Sequence, residues 1–485
     1  MTSSQPHSVL AAKPTPPMVP GTPVIGNLPQ FMRDRHGLFQ RGLDRFGPIF
    51  GLKLAGRSAA VLVGPEYQEF FFKETDASLS MDKTYKFLAA ALGDVGFAAS
   101  PETYLLQRPV MTRPFKAEKM HTYLRVMHSE IQQWLDTLGA EGEFELVSSI
   151  NTVVQNVAAH ALMGKTFRDQ LGAEFWQLYG ILGKSLDPVL PPHLPLPKFI
   201  RRDRAKVKLR AMLKPIIAER RAHPESYDDF LQDFVTTPLA NGQPADDETI
   251  ISMLMGLMFA GHETTVGQAS WTIIQLLQHA DYFARVRAEV DAHVVPGHPI
   301  DAKTLRALEH TLWAVQETGR MHPSADLLLR LAEQDLDVGA YRIPKGWMVI
   351  ASAAVAHFLP SLFTEPRRYD PLRFAPDRAE DRQHRFAMIG FGGGLHKCTG
   401  MNFATNEMAI ITALLVSQFE LTLRTPDPQA EHGSGATRPT STLIGYRRRE
   451  TPAMDGATMA AAVAAGCPHA QSLSHAHGTD PHAGA

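Results

Sequence analysis

Apolar residues along this chain follow two spacings, and the helical one dominates. From Pro65 to about residue 285 they recur mostly at intervals of three and four, which predicts an α-rich protein. The most apolar stretch opens after Asp246-Asp247-Glu248, an acidic helix start. Ile250 to Ala260 then carries Met and Leu on all faces, as a helix through the core of a large domain does. Gly261-His262-Glu263-Thr264-Thr265 interrupts the pattern, which resumes at Trp271, Ile273, Ile274, Leu276 and Leu277. A second helical pattern, Met401, Phe403, Ala404, Met408, Ile411, Leu414 and Leu415, begins just after a run of glycines. Strand signals are fewer. Ile49 to Leu54 and Ala59 to Val63 flank Gly56-Arg57-Ser58 as a hairpin would, and Tyr341 to Ile350 reads as two short strands around Pro344-Lys345-Gly346. The class expected is mainly α with a minor β-sheet region.

Composition changes this picture little. No Pro-rich or Ser/Gly linker divides the chain between Gly47 and Arg449, so the 485 residues divide into a Pro-rich lead-in (1–30), one large domain (31–450) and a tail (451–485). The tail is rich in Ala, Gly and Pro and holds His469, His475, His477 and His482; a disordered extension is expected there in preference to a metal-binding one. Hydrophobic content of 44%, charge of 20% and a net charge of −2 describe a globular protein with no bias toward nucleic acid. The first twenty residues lack a signal-like apolar run, and nothing approaches a membrane span, so a soluble cytoplasmic protein is expected.

The chemistry concentrates in Phe391-Gly392-Gly393-Gly394-Leu395-His396-Lys397-Cys398-Thr399-Gly400. Of the two cysteines, Cys467 lies in the tail, so Cys398 stands alone and can form neither a disulfide there nor most of a multi-cysteine metal site. A lone thiol behind a Gly-rich turn and ahead of a helix can be the axial thiolate of a haem iron; the alternative is a buried structural cysteine. The glycines permit positive φ and close approach of a flat ligand. The helix start favours the thiolate, Phe391 can shield the sulfur, and His396 can donate to an anionic group beside the iron. In the interrupted helix, a threonine can bond the carbonyl four residues back, here from Thr264 to Ala260, and with Gly261 open a notch wide enough for dioxygen.

The ten-residue stretch matches Phe-x-x-Gly-x-x-x-Cys-x-Gly and so resembles the haem signature of the cytochrome P-450 superfamily. The resemblance implies haem b, with Cys398 as axial ligand and His396 at a propionate, Phe391, Gly392 and Gly400 completing the loop. Ala260-Gly261-His262-Glu263-Thr264-Thr265 is similar to the family's distal motif, with Ala260 and Gly261 over the haem face and Glu263 and Thr264 as the acid–alcohol pair. It implies a monooxygenase and argues against a peroxygenase or a haem isomerase; a non-catalytic haem sensor stays open as an alternative. Glu317-Thr318-Gly319-Arg320 and Tyr369-Asp370-Pro371-Leu372-Arg373-Phe374 resemble the segments whose Glu317, Arg320 and Arg373 form a buried structural triad. Tyr104 and Arg108 resemble the family's Trp-x-x-x-Arg, and Arg330 matches another propionate position.

Likeness is greatest to bacterial sterol 14α-demethylases, from about Gly47 to Arg449. In that branch the residue matching Tyr85 reaches a propionate and that matching Phe87 lines the substrate cavity. Met258, Phe259, His262, Asp326 and Leu327 fall at positions expected to meet substrate. Glu263 stands where that branch carries His, which implies proton delivery like that of ordinary hydroxylases. Asp326 stands in a loop that usually presents apolar side chains. The implied activity is insertion of one oxygen atom of O2 into a C–H bond of a sterol, with a non-sterol terpenoid, steroid or fatty acid as the alternative. A separate ferredoxin and its reductase are the implied electron donors, with Arg113, Lys116, Lys119 and Lys397 as a candidate basic docking patch.

Overall fold

A computed structural model describes residues 13–187, 190–432 and 436–450. The expectation for the tail lies outside these residues. Helices form most of the molecule, and two hydrophobic clusters organise it. The larger cluster joins the helices around the long helix Asp247–Gln278, which packs on the helices Leu146–Met163, Glu309–Met321 and Met401–Gln418. The smaller lies around a five-stranded sheet.

The strands of that sheet are β1 (Ile49–Leu54), β2 (Arg57–Leu62), β3 (Leu79–Ser80), β4 (Leu327–Ala332) and β5 (Met348–Ser352), in the order β1-β2-β5-β4-β3. β1 and β2 form the expected hairpin, but its turn is Ala55-Gly56, both at positive φ, and Arg57 and Ser58 already belong to β2. Two residues in the left-handed region match the twist of a tight hairpin, which explains the shift. The strands expected around Pro344-Lys345-Gly346 both exist, but they join different sheets. Tyr341–Ile343 pairs with Leu336–Val338, while β5 enters the large sheet parallel to β2 and antiparallel to β4. Part of the lead-in runs along β1, where the Gly51 N–H donates to Pro17 and the Val19 N–H to Gly51.

The long helix starts where its sequence signals it, with the Asp246 carboxylate accepting from the Thr249 N–H at 2.7 Å. It continues unbroken to Gln278. The polar interruption therefore does not end or split the helix. Among the described residues no helix is long and apolar enough to cross a membrane.

Candidate haem site

The site draws on the middle of the long helix, the Cys398 loop and β4, which lies between β5 and β3 in the sheet. Most of the long helix is buried, yet Ala260 and Gly261 are exposed and Thr264 half-buried at its middle. A Cβ added at Gly261 would meet nothing within 4 Å. The Thr264 hydroxyl donates to the Ala260 carbonyl at 2.7 Å, as the sequence led us to expect. The Thr264 carbonyl in turn accepts from the Ser324 hydroxyl at 3.0 Å.

The Cys398 loop is fixed by its own backbone. The Cys398 N–H donates to Phe391 at 2.9 Å, and the Gly392 N–H to Ile389 at 2.8 Å. Gly392 and Gly394 take positive φ, 69° and 64°. Gly393 is extended and needs to be glycine for another reason: a Cβ there would fall 2.8 Å from Phe72 and 2.9 Å from Phe386. Cys398 is exposed over part of its surface, and the protein packed around the rest pushes its thiol pKa up. The Gly400 N–H and the Lys397 charge pull the other way without prevailing. This corrects the expectation that the helix start favours the thiolate: the helix begins only at Met401, and desolvation outweighs it.

Around the loop, Tyr104 stacks on His396 with ring centres 4.1 Å apart, and its hydroxyl donates to Leu395 at 3.1 Å. Arg108 is exposed and reaches the same tyrosine. His396 contacts the Asp76 carboxylate at 2.5 Å, a partner the sequence did not announce. Arg330 is buried, donates to Thr75 at 3.1 Å and lies over Phe71. Beside it the Tyr85 hydroxyl accepts the Leu329 N–H at 3.3 Å. Tyr85, Tyr104, Arg108, Arg330 and His396 are thus linked through a chain of contacts that spans the helices Asp82–Leu92 and Pro101–Thr112, the Cys398 loop and β4.

The triad is present as expected. Arg320 forks onto Glu317 at 2.7 and 2.9 Å, Arg373 contacts the same carboxylate at 3.1 Å, and all three side chains are fully buried. Glu380, not anticipated, gives Arg373 a second carboxylate at 2.7 Å.

The expected substrate positions divide. Phe87 and Phe259 are partly buried against the helical core, Leu327 against the sheet core, and His262 packs on Trp176. Met258 is 1% exposed, inside the core and off the exposed window of the long helix. Asp326 is held by Arg35 at 3.2 Å, with both side chains 16% exposed, so its donor comes from the protein. The basic patch is also thinner than expected: Arg113 pairs with Glu118, and Lys119 with Asp228 and Asp233, which leaves Lys116 and Lys397 exposed.

The family profile of cytochrome P450 matches residues 16–444. The chain belongs to the cytochrome P450 family. It is an oxidoreductase of the monooxygenase type, and the family's cofactor is haem b. The residues present fit that group: a lone thiol on a Gly-rich loop, an exposed Ala-Gly window in the middle of a mostly buried helix, and a set of Tyr, His and Arg side chains. Among curated proteins, the sterol 14α-demethylase of Mycolicibacterium vanbaalenii is 31% identical over 453 residues, 90% of this chain and 99% of that one. The obtusifoliol 14-alpha demethylase of Sorghum bicolor is 30% identical over 90% of this chain and 91% of its own length. Among solved structures, the retinoic-acid-bound cyanobacterial CYP120A1 superposes with a TM-score of 0.78 at 27% identity, over 90% of this chain and all of that one. As a P450, the chain takes a hydrophobic substrate, O2 and electrons from a redox partner.

Proposed function

We propose that this P450 oxidises a sterol in the manner of the 14α-demethylases, with Cys398 as the residue that would hold the iron of its haem. The observation that carries the reading is the presence of both a lone loop cysteine and the exposed Ala260–Thr264 window, in a chain aligned along 99% of a bacterial sterol demethylase. Haem b, when bound, supplies activation of O2 and insertion of one oxygen atom into a C–H bond; two electrons and two protons take the second atom to water.

The chain's own residues do the rest. Tyr85, Tyr104, Arg108, Arg330 and His396 would hold the propionates through hydrogen bonds and, for the cationic side chains, opposite charge. Thr264 holds its hydroxyl on the Ala260 carbonyl, from which it would donate to oxygen chemistry supplied by the haem, and Glu263 would pass protons to it from solvent. Phe87, Phe259 and Leu327 give the substrate an apolar wall and exclude water. Asp326 is occupied by Arg35 and is left out of substrate recognition, as is buried Met258. Electrons come from a ferredoxin docking near Lys116 and Lys397, whose charge suits an acidic partner.

A second reading, hydroxylation of a non-sterol terpenoid, is supported by the retinoic-acid-bound neighbour. An absorbance titration of the purified ferric protein separates the two. A low-to-high-spin shift of the Soret band with 14-methylated sterols alone is expected. A shift with retinoids, steroids lacking that methyl or fatty acids, and none with methylated sterols, discards the sterol assignment. No Soret band after haem reconstitution discards the haem reading altogether.

A further inference from the structure

Three histidines of the described chain, His262, His322 and His357, are pulled down to about 4 by burial. Only His357 has a polar partner recorded at each ring nitrogen and at its backbone carbonyl. It is fully buried at the end of the short helix Ala353–Ala356, which follows β5. None of the sequence motifs includes it.

Its contacts define its chemistry. Nδ1 lies 3.1 Å from the carbonyl oxygen of Arg320, which can only accept, so Nδ1 carries the proton. Nε2 is therefore bare, and it accepts the Ile389 N–H at 2.9 Å. The His357 carbonyl receives Nη1 of Arg320 at 2.9 Å, so the two residues are tied together twice. Gly390 follows Ile389, and a Cβ on it would sit 3.6 Å from the imidazole and 3.7 Å from the Gly319 carbonyl. The ring is thus closed against the backbone. From there the Ile389 carbonyl accepts from Gly392, and Phe391 accepts from Cys398.

We propose that His357 is a positioning residue that transmits the rigidity of the Glu317–Arg320–Arg373 cluster into the Cys398 loop by holding the Ile389 amide. This rests on Cys398 being the haem ligand. The triad touches neither Cys398 nor Phe391 in any recorded hydrogen bond; the imidazole supplies the connection. Ile389 is fully buried, so its amide has no access to water if the ring is lost. A displaced Ile389 moves the carbonyl that anchors Gly392, and with it the turn that sets the direction of the sulfur. The plainer reading, a core histidine satisfied by nearby backbone, predicts lower stability with unchanged ligation.

The test compares full-length His357→Gln, His357→Asn and His357→Ala with Leu213→Ala, a core truncation distant in sequence from the loop. Haem content, thermal midpoint and the thiolate-to-thiol ratio in the reduced carbon monoxide complex are read for each. His357→Gln keeps an acceptor long enough to reach Ile389, and we expect it to hold the ratio near wild type. His357→Asn is too short, and it and His357→Ala should lower the ratio at least fivefold. Leu213→Ala should lower the midpoint and leave the ratio alone. A wild-type ratio in His357→Asn, or the same loss in Leu213→Ala, overturns the proposal. If His357→Ala does not fold, the Gln–Asn comparison still decides. A wild-type protein without any thiolate band would overturn both this proposal and the ligand assignment.

Discussion

The Thr264 hydroxyl donates to the Ala260 carbonyl at 2.7 Å, one turn back along the long helix, on the stretch where that helix is exposed. A hydroxyl parked on a backbone carbonyl is held in place without being used up. It can leave at the cost of one modest hydrogen bond, about 1 kcal/mol net. Thr264→Ala removes it and should uncouple turnover: reductant consumption continues, while product per reductant falls about tenfold, some 1.4 kcal/mol at the proton-delivery step. Thr264→Ser should keep most of the coupling. Product and peroxide measured against reductant check this, and unchanged coupling in Thr264→Ala would remove the residue from the chemistry.

The Arg35–Asp326 pair gives a second test. Both side chains are mostly buried, so loss of one partner leaves a poorly solvated charge. Asp326→Asn should destabilise by about 1–3 kcal/mol, and a double-mutant cycle with Arg35→Met should return a coupling of about 1 kcal/mol. Substrate titrations should be indifferent to Asp326→Asn. A changed ligand preference would put Asp326 back among the substrate contacts.

Gly393 is expected to tolerate no side chain. Phe72 and Phe386 stack with centres 5.2 Å apart, and a Cβ at Gly393 would enter both rings at under 3 Å. Gly393→Ala should cost about 1–3 kcal/mol through overpacking and release haem faster, whereas Phe72→Leu in the same chain should restore part of the loss. Haem-transfer rates and thermal midpoints would show it.

Buried titratable groups set opposite limits on stability with pH. His262, His322 and His357 are lowered from 6.5 to about 4, so the unfolded chain binds more protons between those values and stability rises with pH there. Glu407 is raised from 4.5 to about 8, so the folded chain binds more protons in that window and stability falls as pH rises. Where the windows overlap three groups oppose one, and the histidines win. Stability should therefore peak near pH 6.5 and decline toward 8. Each unit of that decline amounts to about 1.4 kcal/mol at most. Glu407→Gln should flatten the alkaline limb and steepen the acid limb between about 4.5 and 6.5, where Glu407 no longer opposes the histidines, as followed by urea midpoints across pH. A limb unaffected by the substitution would place the titrating group elsewhere.

Much of the site was legible because its parts are local in sequence. The Cys398 loop is ten contiguous residues, Glu317 and Arg320 are one helical turn apart, and Thr264 meets Ala260 within the same helix. The contacts that were not legible join distant segments without any periodicity. His357 and Ile389 are 32 residues apart, Arg35 and Asp326 291, and Asp76 and His396 320. Nor could spacing show that Arg113 and Lys119 are neutralised by Glu118, Asp228 and Asp233, since only the fold sets those charges side by side. Gly393 was grouped with its neighbours as permitting positive φ, yet it is extended, and the steric need imposed on it by Phe72 and Phe386 leaves no trace in the loop itself.

The large sheet also sets a timetable for the chain. β2 pairs along its outer side with β5, which lies about 290 residues further on. At ribosomal rates of roughly 5–20 residues per second, the N-terminal hairpin waits some 15–60 s with one edge bare before its partner strand emerges. Cys398 is synthesised later still. The nascent protein therefore passes through a period in which an apolar strand edge is open while Cys398 does not yet exist, so the fold of the sheet and the completion of the site are separated in time.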